Sequence, residues 1–264
     1  MSKTTLKTLL AMKKNSEKIS CLTCYDASFA QRLNTAGIDL LLVGDSLGMV
    51  LQGHESTLPV MMEQMVYHTA CVSAGNDHAM IMVDMPFMSY YSTTLAMKNA
   101  AQLMQAGAHI VKLEGGRWLA PTIQQLTQQG IPVCAHLGLT PQAINTLGKY
   151  QLQGKEPKQA KQIIDDACHL TISGANMILL ECVPQSVGKA VSKAVDVPVI
   201  GIGAGPSTDA QVLVLHDMLG ITPGHKARFV KNFLAGHDCI ENAIKAYVQA
   251  VKNGTFPAPE HCFN

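Results

Sequence analysis

Three acidic residues close apolar runs in this chain: Asp45 in Val43-Gly44-Asp45-Ser46, Asp84 in Val83-Asp84-Met85-Pro86, and Glu114 in Lys112-Leu113-Glu114-Gly115-Gly116. Each ends a strand-like segment and opens onto loop residues, so neighbouring parallel strands would gather the three carboxylates into one pocket. A carboxylate at a buried strand tip is costly unless something neutralises it. Two such charges about 4 Å apart repel by about 4 kcal/mol at an effective dielectric of about 20. A divalent cation removes that repulsion, and oxygen donors without a matching His/Cys set favour Mg²⁺ over zinc. Taken singly, each acid reads as a solvated loop carboxylate; the metal reading rests on all three together.

Other chemistry-bearing residues fall at similar strand ends. Lys112 lies two residues before Glu114 and therefore on the same side of its strand. There it suits a substrate carboxylate or a developing enolate, with an ion pair to one of the acids as the alternative. Glu181 follows Met177-Ile-Leu-Leu180 directly, a setting suited to a general base, with a helix-capping or lysine-pairing role as the plain alternative. His136, in Cys134-Ala-His136-Leu-Gly, is either a second-rank substrate contact or a satisfied core histidine. Tyr25-Asp26 and Ser46 join the same set. Gly201-Ile-Gly203-Ala-Gly205 resembles a dinucleotide fingerprint only weakly, because Pro206 takes the place of its last glycine and no acidic strand end follows at the right distance. NAD binding is rejected, and the glycines are read as letting backbone approach a ligand.

These residues need strands to present them. Strand-like segments run over Ile19–Tyr25, Asp39–Gly44, Ala79–Asp84, His109–Glu114, Pro132–His136, Asn176–Glu181, Val197–Gly203 and Val212–His216. Several lack strict alternation, as expected of strands buried on both faces. Helical spacing marks Ser28–Ala36, Met62–Ala74, Leu95–Ala106, Ala120–Gln129, Gln159–Ser173 and Ser186–Ala194, with glycine stops among their ends. Alternation with short links implies parallel βαβ units. Eight strands in about 200 residues predict a closed (β/α)₈ barrel spanning 1–264, an open doubly wound sheet being the runner-up. A short N-terminal helix carries Leu6, Leu9 and Leu10, and a tail after Ala246 is expected to run over the surface. The longest loop, Leu139–Lys158, follows the fifth strand and reads equally as a lid or as an ordinary surface excursion.

Composition narrows the class. The chain has 264 residues, 47% of them hydrophobic and only 5% aromatic, so its core is aliphatic and Met-rich. A net charge of +1 with scattered lysines gives no electrostatic support for nucleic acid or membrane surfaces. No apolar run reaches membrane-spanning length, and Leu9-Leu10-Ala11-Met12 is too short for a signal-peptide core. The chain reads as soluble and cytoplasmic, acting on small molecules. Its eight cysteines read as reduced, mostly buried thiols. The lone Cys21-Leu-Thr-Cys24 lies within a strand pattern and lacks the second ligand pair zinc would need.

Longer strings carry a resemblance. Tyr25-Asp-Ala-Ser-Phe-Ala30, Val43-Gly-Asp-Ser-Leu-Gly-Met49, Gln52-Gly-His-Glu-Ser-Thr-Leu-Pro59, Asp84-Met-Pro-Phe-Met88, Val111-Lys-Leu-Glu-Gly-Gly116, His136-Leu-Gly-Leu-Thr-Pro-Gln142, Leu180-Glu-Cys-Val-Pro184 and Pro198-Val-Ile-Gly-Ile-Gly-Ala-Gly205 resemble the ketopantoate hydroxymethyltransferase family. The resemblance extends over residues 25 to about 233. It implies a (β/α)₈ fold and a homo-oligomer, a decamer of two pentameric rings. It also implies transfer of a one-carbon unit from 5,10-methylenetetrahydrofolate to 3-methyl-2-oxobutanoate, giving 2-dehydropantoate for pantothenate synthesis. Carried over by position, Mg²⁺ ligands fall on Asp45, Asp84 and Glu114, the last directly or through water. Substrate contacts fall on Asp45, Ser46, Asp84 and Lys112, and the proton acceptor on Glu181. Ala135 and Ala210 replace glycines of the family pattern, and Pro223 replaces one before Gly224-His225; these departures are expected to touch only loop geometry. The rival readings are a Mg²⁺-dependent lyase or mutase acting on 2-oxo acids, and a non-catalytic metal- and metabolite-binding barrel.

Overall fold

The computed structural model describes residues 3–224 and 226–264, so Met1, Ser2 and His225 lie outside the described residues. Eight parallel strands close into a barrel in sequence order. In chain order the elements are α1 (Leu6–Lys14), β1 (Ile19–Thr23), α2 (Ala27–Thr35), β2 (Leu40–Val43), α3 (Leu47–Val50), α4 (Met62–Gly75), β3 (Met80–Asp84), α5 (Thr93–Gln105), β4 (Ile110–Glu114) and α6 (Ala120–Gln128). They continue with β5 (Val133–Gly138), α7 (Ile144–Leu147), α8 (Pro157–Ile172), β6 (Met177–Glu181), α9 (Gln185–Ala194), β7 (Val199–Ile202), β8 (Ala210–Leu213), α10 (Leu215–Met218) and α11 (Ile240–Lys252). Among the described residues no helix is long and apolar enough to cross a membrane.

The period of two along each strand sorts side chains between two cores. Met82, Ile110, Cys134, Leu179 and Ile200 pack inside the barrel with Leu9 and Met12 of α1, which plugs the end where the strands begin. Leu41, Val83, Val111, Ala135 and Leu180 pack instead in the outer core beneath the helices. Extending the inner set by two residues reaches Asp84, Lys112, His136 and Glu181. The polar residues therefore stand on an apolar floor at the strand C-termini, the face where barrel active sites form.

The fold corrects several expectations. The eighth strand is Ala210–Leu213, not Val212–His216, because residues 203–209 cross over to it without a helix. That crossover lies against β7: a Cβ on Gly201 would stand 2.6 Å from Thr208 Oγ1, while Gly203 and Gly205 take φ of +62° and +82°. The glycines thus serve a tight protein crossover, and protein side chains fill the space beside them.

The tail after Ala246 does not run over the surface. It starts inside α11, whose Tyr247 and Val251 are buried, and Phe256 and Cys262 are buried beyond it. Phe233, Tyr247 and Phe256 meet edge-to-face with ring centroids 5.4–5.9 Å apart. Ala135 and Ala210 are buried strand residues, so those two departures fall in β5 and β8 rather than in loops. Cys21 and Cys24 are buried free thiols, and burial pushes the Cys24 thiol up to about 12.

Candidate active site

A cavity of about 720 Å³ opens at the strand C-termini, and Asp45, Ser46, Asp84, Lys112, Glu114, His136 and Glu181 all line it. Strand register sets their neighbours: Asp84 pairs with Lys112, Glu114 with His136, and Glu181 with Gly138. Asp45 and Ser46 enter from the turn after β2, where the Asp45 N–H donates to Asp84 Oδ2 at 3.1 Å. Tyr25 lies buried beneath this turn with its hydroxyl 3.0 Å from Ser46 Oγ. Asp26 is not part of the site; it caps α2, accepting from the Phe29 N–H at 2.9 Å.

Lys112 is buried among polar partners. Its Nζ is 3.1 Å from Asp84 Oδ1, 3.0 Å from His136 Nδ1 and 3.9 Å from Glu114 Oε1. Burial pulls the Lys112 pKa down, but Asp84, Glu114 and Asp45 more than offset it and hold it above the ordinary lysine value. Both readings of Lys112 therefore meet in one group, an ion-paired ammonium that also faces the cavity. His136 bridges two acids, its Nδ1 3.4 Å from Glu114 Oε1 and its Nε2 3.3 Å from Glu181 Oε2. The Glu181 approach lies off hydrogen-bonding geometry, leaving Nε2 without a formal partner. Burial and Lys112 disfavour the imidazolium, yet the contacts with Glu114 and Glu181 prevail and raise the His136 pKa.

The acids differ in environment. Burial, then repulsion from Asp84 and Glu114, pushes Asp45 well above the ordinary carboxylate range. Burial also acts to raise Glu114, but His136, Lys112 and the Gln142 N–H win and hold it below its ordinary value. Glu181 is half-buried, the most open of the four. Cys182, just after it, has a φ of 47°, a left-handed conformation that costs a non-glycine residue about 1–3 kcal/mol. The backbone holds it there through the Gln153 N–H, which donates to Cys182 O at 2.8 Å.

Sequence reasoning missed two residues that tie the acids together. Gln142 Nε2 donates to Asp45 Oδ2 at 2.8 Å and to Met85 O at 2.9 Å, and its backbone N–H donates to Glu114 Oε2 at 3.0 Å. Tyr90 donates its hydroxyl to Gln142 Oε1 at 2.6 Å. Gln142 closes one of the recognisable strings, which was the available signal; Tyr90 lies in an aromatic loop with none. The segment Leu139–Lys158 forms one wall of the cavity through Leu139, Pro141, Tyr150 and Leu152, so it is more than a surface excursion. A second cavity of about 680 Å³ lies behind the wall of Tyr90, Glu114, His136 and Gln142, edged by Phe87, Tyr91 and Trp118.

Among the described residues no three Asp, Glu, His or Cys side chains form a ready metal-ligand set. Glu114 is engaged by Gln142, His136 and Lys112, which leaves Asp45 and Asp84 as the nearest pair. The donors still fit a hard cation: all are oxygens, Asp84 Oδ1 is buried with the Lys112 ammonium 3.1 Å away as its counter-charge, and the Asp45 carboxylate is destabilised by burial and by its acidic neighbours.

A closed parallel barrel with buried carboxylates, a lysine and a histidine gathered at its strand C-termini defines a barrel enzyme. Its fold is shared with phosphonopyruvate hydrolase (TM-score 0.64, 11% identity, 83% of this chain and 84% of that one). Phosphoenolpyruvate phosphomutase from Streptomyces platensis subsp. rosaceus is similar to the same degree (TM-score 0.63, 12% identity, 82% and 83%). Sequence similarity is far more specific. The family model described as ketopantoate hydroxymethyltransferase matches residues 3–259. The 3-methyl-2-oxobutanoate hydroxymethyltransferase of Marinobacter nauticus is 60% identical over 98% of both chains, and that of Chromohalobacter salexigens 57% identical over 100% of both. The chain belongs to the ketopantoate hydroxymethyltransferase family, and it is a transferase.

Proposed function

We propose that the chain transfers a hydroxymethyl group from 5,10-methylenetetrahydrofolate to 3-methyl-2-oxobutanoate, giving 2-dehydropantoate for pantothenate synthesis, with Mg²⁺ as its metal. The observation that carries this reading is the single cavity that gathers Asp45, Ser46, Asp84, Lys112, Glu114 and Glu181 above an apolar floor. Asp45 and Asp84 would hold the metal, with Glu114 directly or through water. A magnesium ion there would make the C3 proton of the 2-oxo acid more acidic. Ser46 and Lys112 bind the oxo-acid oxygens, and the Lys112 ammonium stabilises the negative charge that develops on them. Glu181, open to the cavity, accepts the C3 proton. His136, its Nε2 3.3 Å from Glu181 Oε2, is a second-rank substrate contact. Lys112 then keeps the anion in place while C3 of the substrate bonds to the folate-borne methylene carbon. That carbon's two bonds to folate nitrogens break and water supplies its hydroxyl. The water proton and the proton held by Glu181 go to the folate nitrogens, and tetrahydrofolate leaves.

Two wider proposals accompany this reading. Phe87, Met88, Tyr91 and Trp118 are exposed together at the edge of the second cavity, and burying them supports a homo-oligomer, a decamer by resemblance. Light scattering at micromolar concentration tests it, and a monomer would refute it. A cytoplasmic site of action accords with the reduced cysteines.

The test of activity is formation of 2-dehydropantoate from 3-methyl-2-oxobutanoate, with and without methylenetetrahydrofolate and Mg²⁺. Turnover is expected only with all three present. Conversion of the oxo acid to a different product without the folate would point instead to a lyase or mutase acting on 2-oxo acids. No turnover under any condition would leave a binding barrel.

A further inference from the structure

We propose that Tyr90 and Gln142 form an orienting clamp that sets Asp45 and Glu114 for metal binding, so that both are positioning residues of the site. The inference rests on the metal reading above. Both ends of the Gln142 side-chain amide and its backbone N–H are engaged, and they leave the amide only one workable orientation. Nε2 faces two acceptors, Asp45 Oδ2 and Met85 O. A flipped amide would turn its oxygen against a carboxylate and a carbonyl, which repel it, and would turn its NH₂ toward Tyr90. Tyr90 reinforces the choice from the other side. Its hydroxyl oxygen accepts from the Glu114 N–H at 3.3 Å, and its proton faces two acceptors, Glu114 O at 3.3 Å and Gln142 Oε1 at 2.6 Å, of which the shorter contact takes it. A directed chain thus runs from the backbone of Glu114 through Tyr90 and Gln142 to the carboxylate of Asp45. The Gln142 backbone N–H closes the loop on Glu114 Oε2.

The consequence is electrostatic as well as geometric. Asp45, Asp84 and Glu114 repel one another, and Asp45 and Glu114 are each steadied by a Gln142 N–H. Partners that orient metal ligands in this way typically contribute 10–100-fold to affinity. Tyr90 also touches the Glu114 backbone directly, but it reaches Asp45 only through Gln142, so toward Asp45 the two act as one unit.

The test titrates Mn²⁺ into the full-length protein, with the free ion counted by electron paramagnetic resonance. It uses Tyr90→Phe, Gln142→Leu and the double variant. Tyr90→Phe removes only one oxygen and keeps the ring, so it reports on the clamp even where Gln142→Leu fails to fold; circular dichroism and thermal melting check folding. Each single variant is expected to raise the Mn²⁺ dissociation constant about tenfold or more. The double variant is expected to match Gln142→Leu alone, the non-additivity of a shared pathway. Dissociation constants within twofold of the unmodified protein in the folded variants, or fully additive effects, would overturn the clamp. If the unmodified protein binds no Mn²⁺, the metal reading fails and takes the clamp with it, an outcome distinct from tight binding that the variants retain.

Discussion

Lys112 and Asp84 are register partners on adjacent strands, and their charged groups meet at 3.1 Å with both side chains 4% exposed. Taking two charges out of water costs several kcal/mol per ion, and a buried pair regains that only with good geometry and further hydrogen bonds. One ammonium here faces three carboxylates, Asp84, Glu114 and Asp45. The excess of negative charge is what a site built for a cation and an anionic substrate requires, and what a core built for stability alone would avoid.

Replacing Lys112 should therefore damage the fold as well as the site. Lys112→Met leaves Asp84 and Glu114 buried without their ammonium, and breaking a buried pair on one side typically costs about 3–5 kcal/mol. The expected result is a lower melting temperature at pH 8 and lost binding of 3-methyl-2-oxobutanoate by calorimetry. The pH dependence has a definite sign. The Lys112 pKa is raised on folding, so its contribution is fully present below about 10.4 and fades as pH rises through the folded-state value. The unmodified protein should lose melting temperature in strongly alkaline buffer more steeply than Lys112→Met. Parallel curves would show that Lys112 is not held this way.

Much of this arrangement was legible in the chain, because strand periodicity is a local property. Lys112 and Glu114 had to share a face once they lay in a strand, and the apolar runs before Asp84 and Glu181 marked both as strand tips. What was not legible depended on contacts distant in sequence. Gln142 meets Asp45 across 97 positions, and no spacing rule announces that. The β7–β8 crossover is shorter than parallel strands normally need, so in the sequence the glycines that permit it look like a backbone approach to a ligand. The helix α11 was within reach: Ala243, Ile244, Tyr247, Val248 and Val251 repeat at three- and four-residue steps and are all buried.

Chelation should separate the metal's role from the fold's. EDTA is expected to abolish turnover and Mg²⁺ to restore it, while Asp84→Ala weakens metal-dependent binding of the oxo acid. Full activity in metal-free buffer would refute a magnesium requirement.

Asp45 should trade stability for function. Its pKa is raised on folding, so its favourable contribution is present below the unfolded value of about 3.9 and is lost as pH rises through the folded-state value. At neutral pH the group is thus a burden on the metal-free protein, whose buried, acid-lined site disfavours its charge. Asp45→Asn, which mimics the protonated acid in shape, should melt a few degrees higher than the unmodified protein in EDTA, since about 1 kcal/mol shifts a chain of this size by about 2–4 °C. Adding Mg²⁺ should raise the melting temperature of the unmodified protein but not of Asp45→Asn. An Asp45→Asn protein that melts lower in EDTA would contradict the repulsion argument.

Glu181 is the sharpest case, because it is the acid most open to the cavity and has no lysine against it. Its contact is His136, 3.3 Å away across the Nε2 edge. Removing a general base typically costs 10²–10⁴-fold, so Glu181→Gln should lower kcat by that factor, about 3–5 kcal/mol in barrier terms. Binding of 3-methyl-2-oxobutanoate should survive, since Asp45, Asp84 and Lys112 do not depend on Glu181. His136→Gln should have a smaller effect on kcat, because it removes a second-rank contact and leaves the carboxylate in place. The direct measurement is exchange of the substrate's C3 proton with D₂O, followed by NMR in the absence of folate. Exchange in Glu181→Gln as fast as in the unmodified protein would mean another group takes the proton, and His136 would then be the next residue to examine.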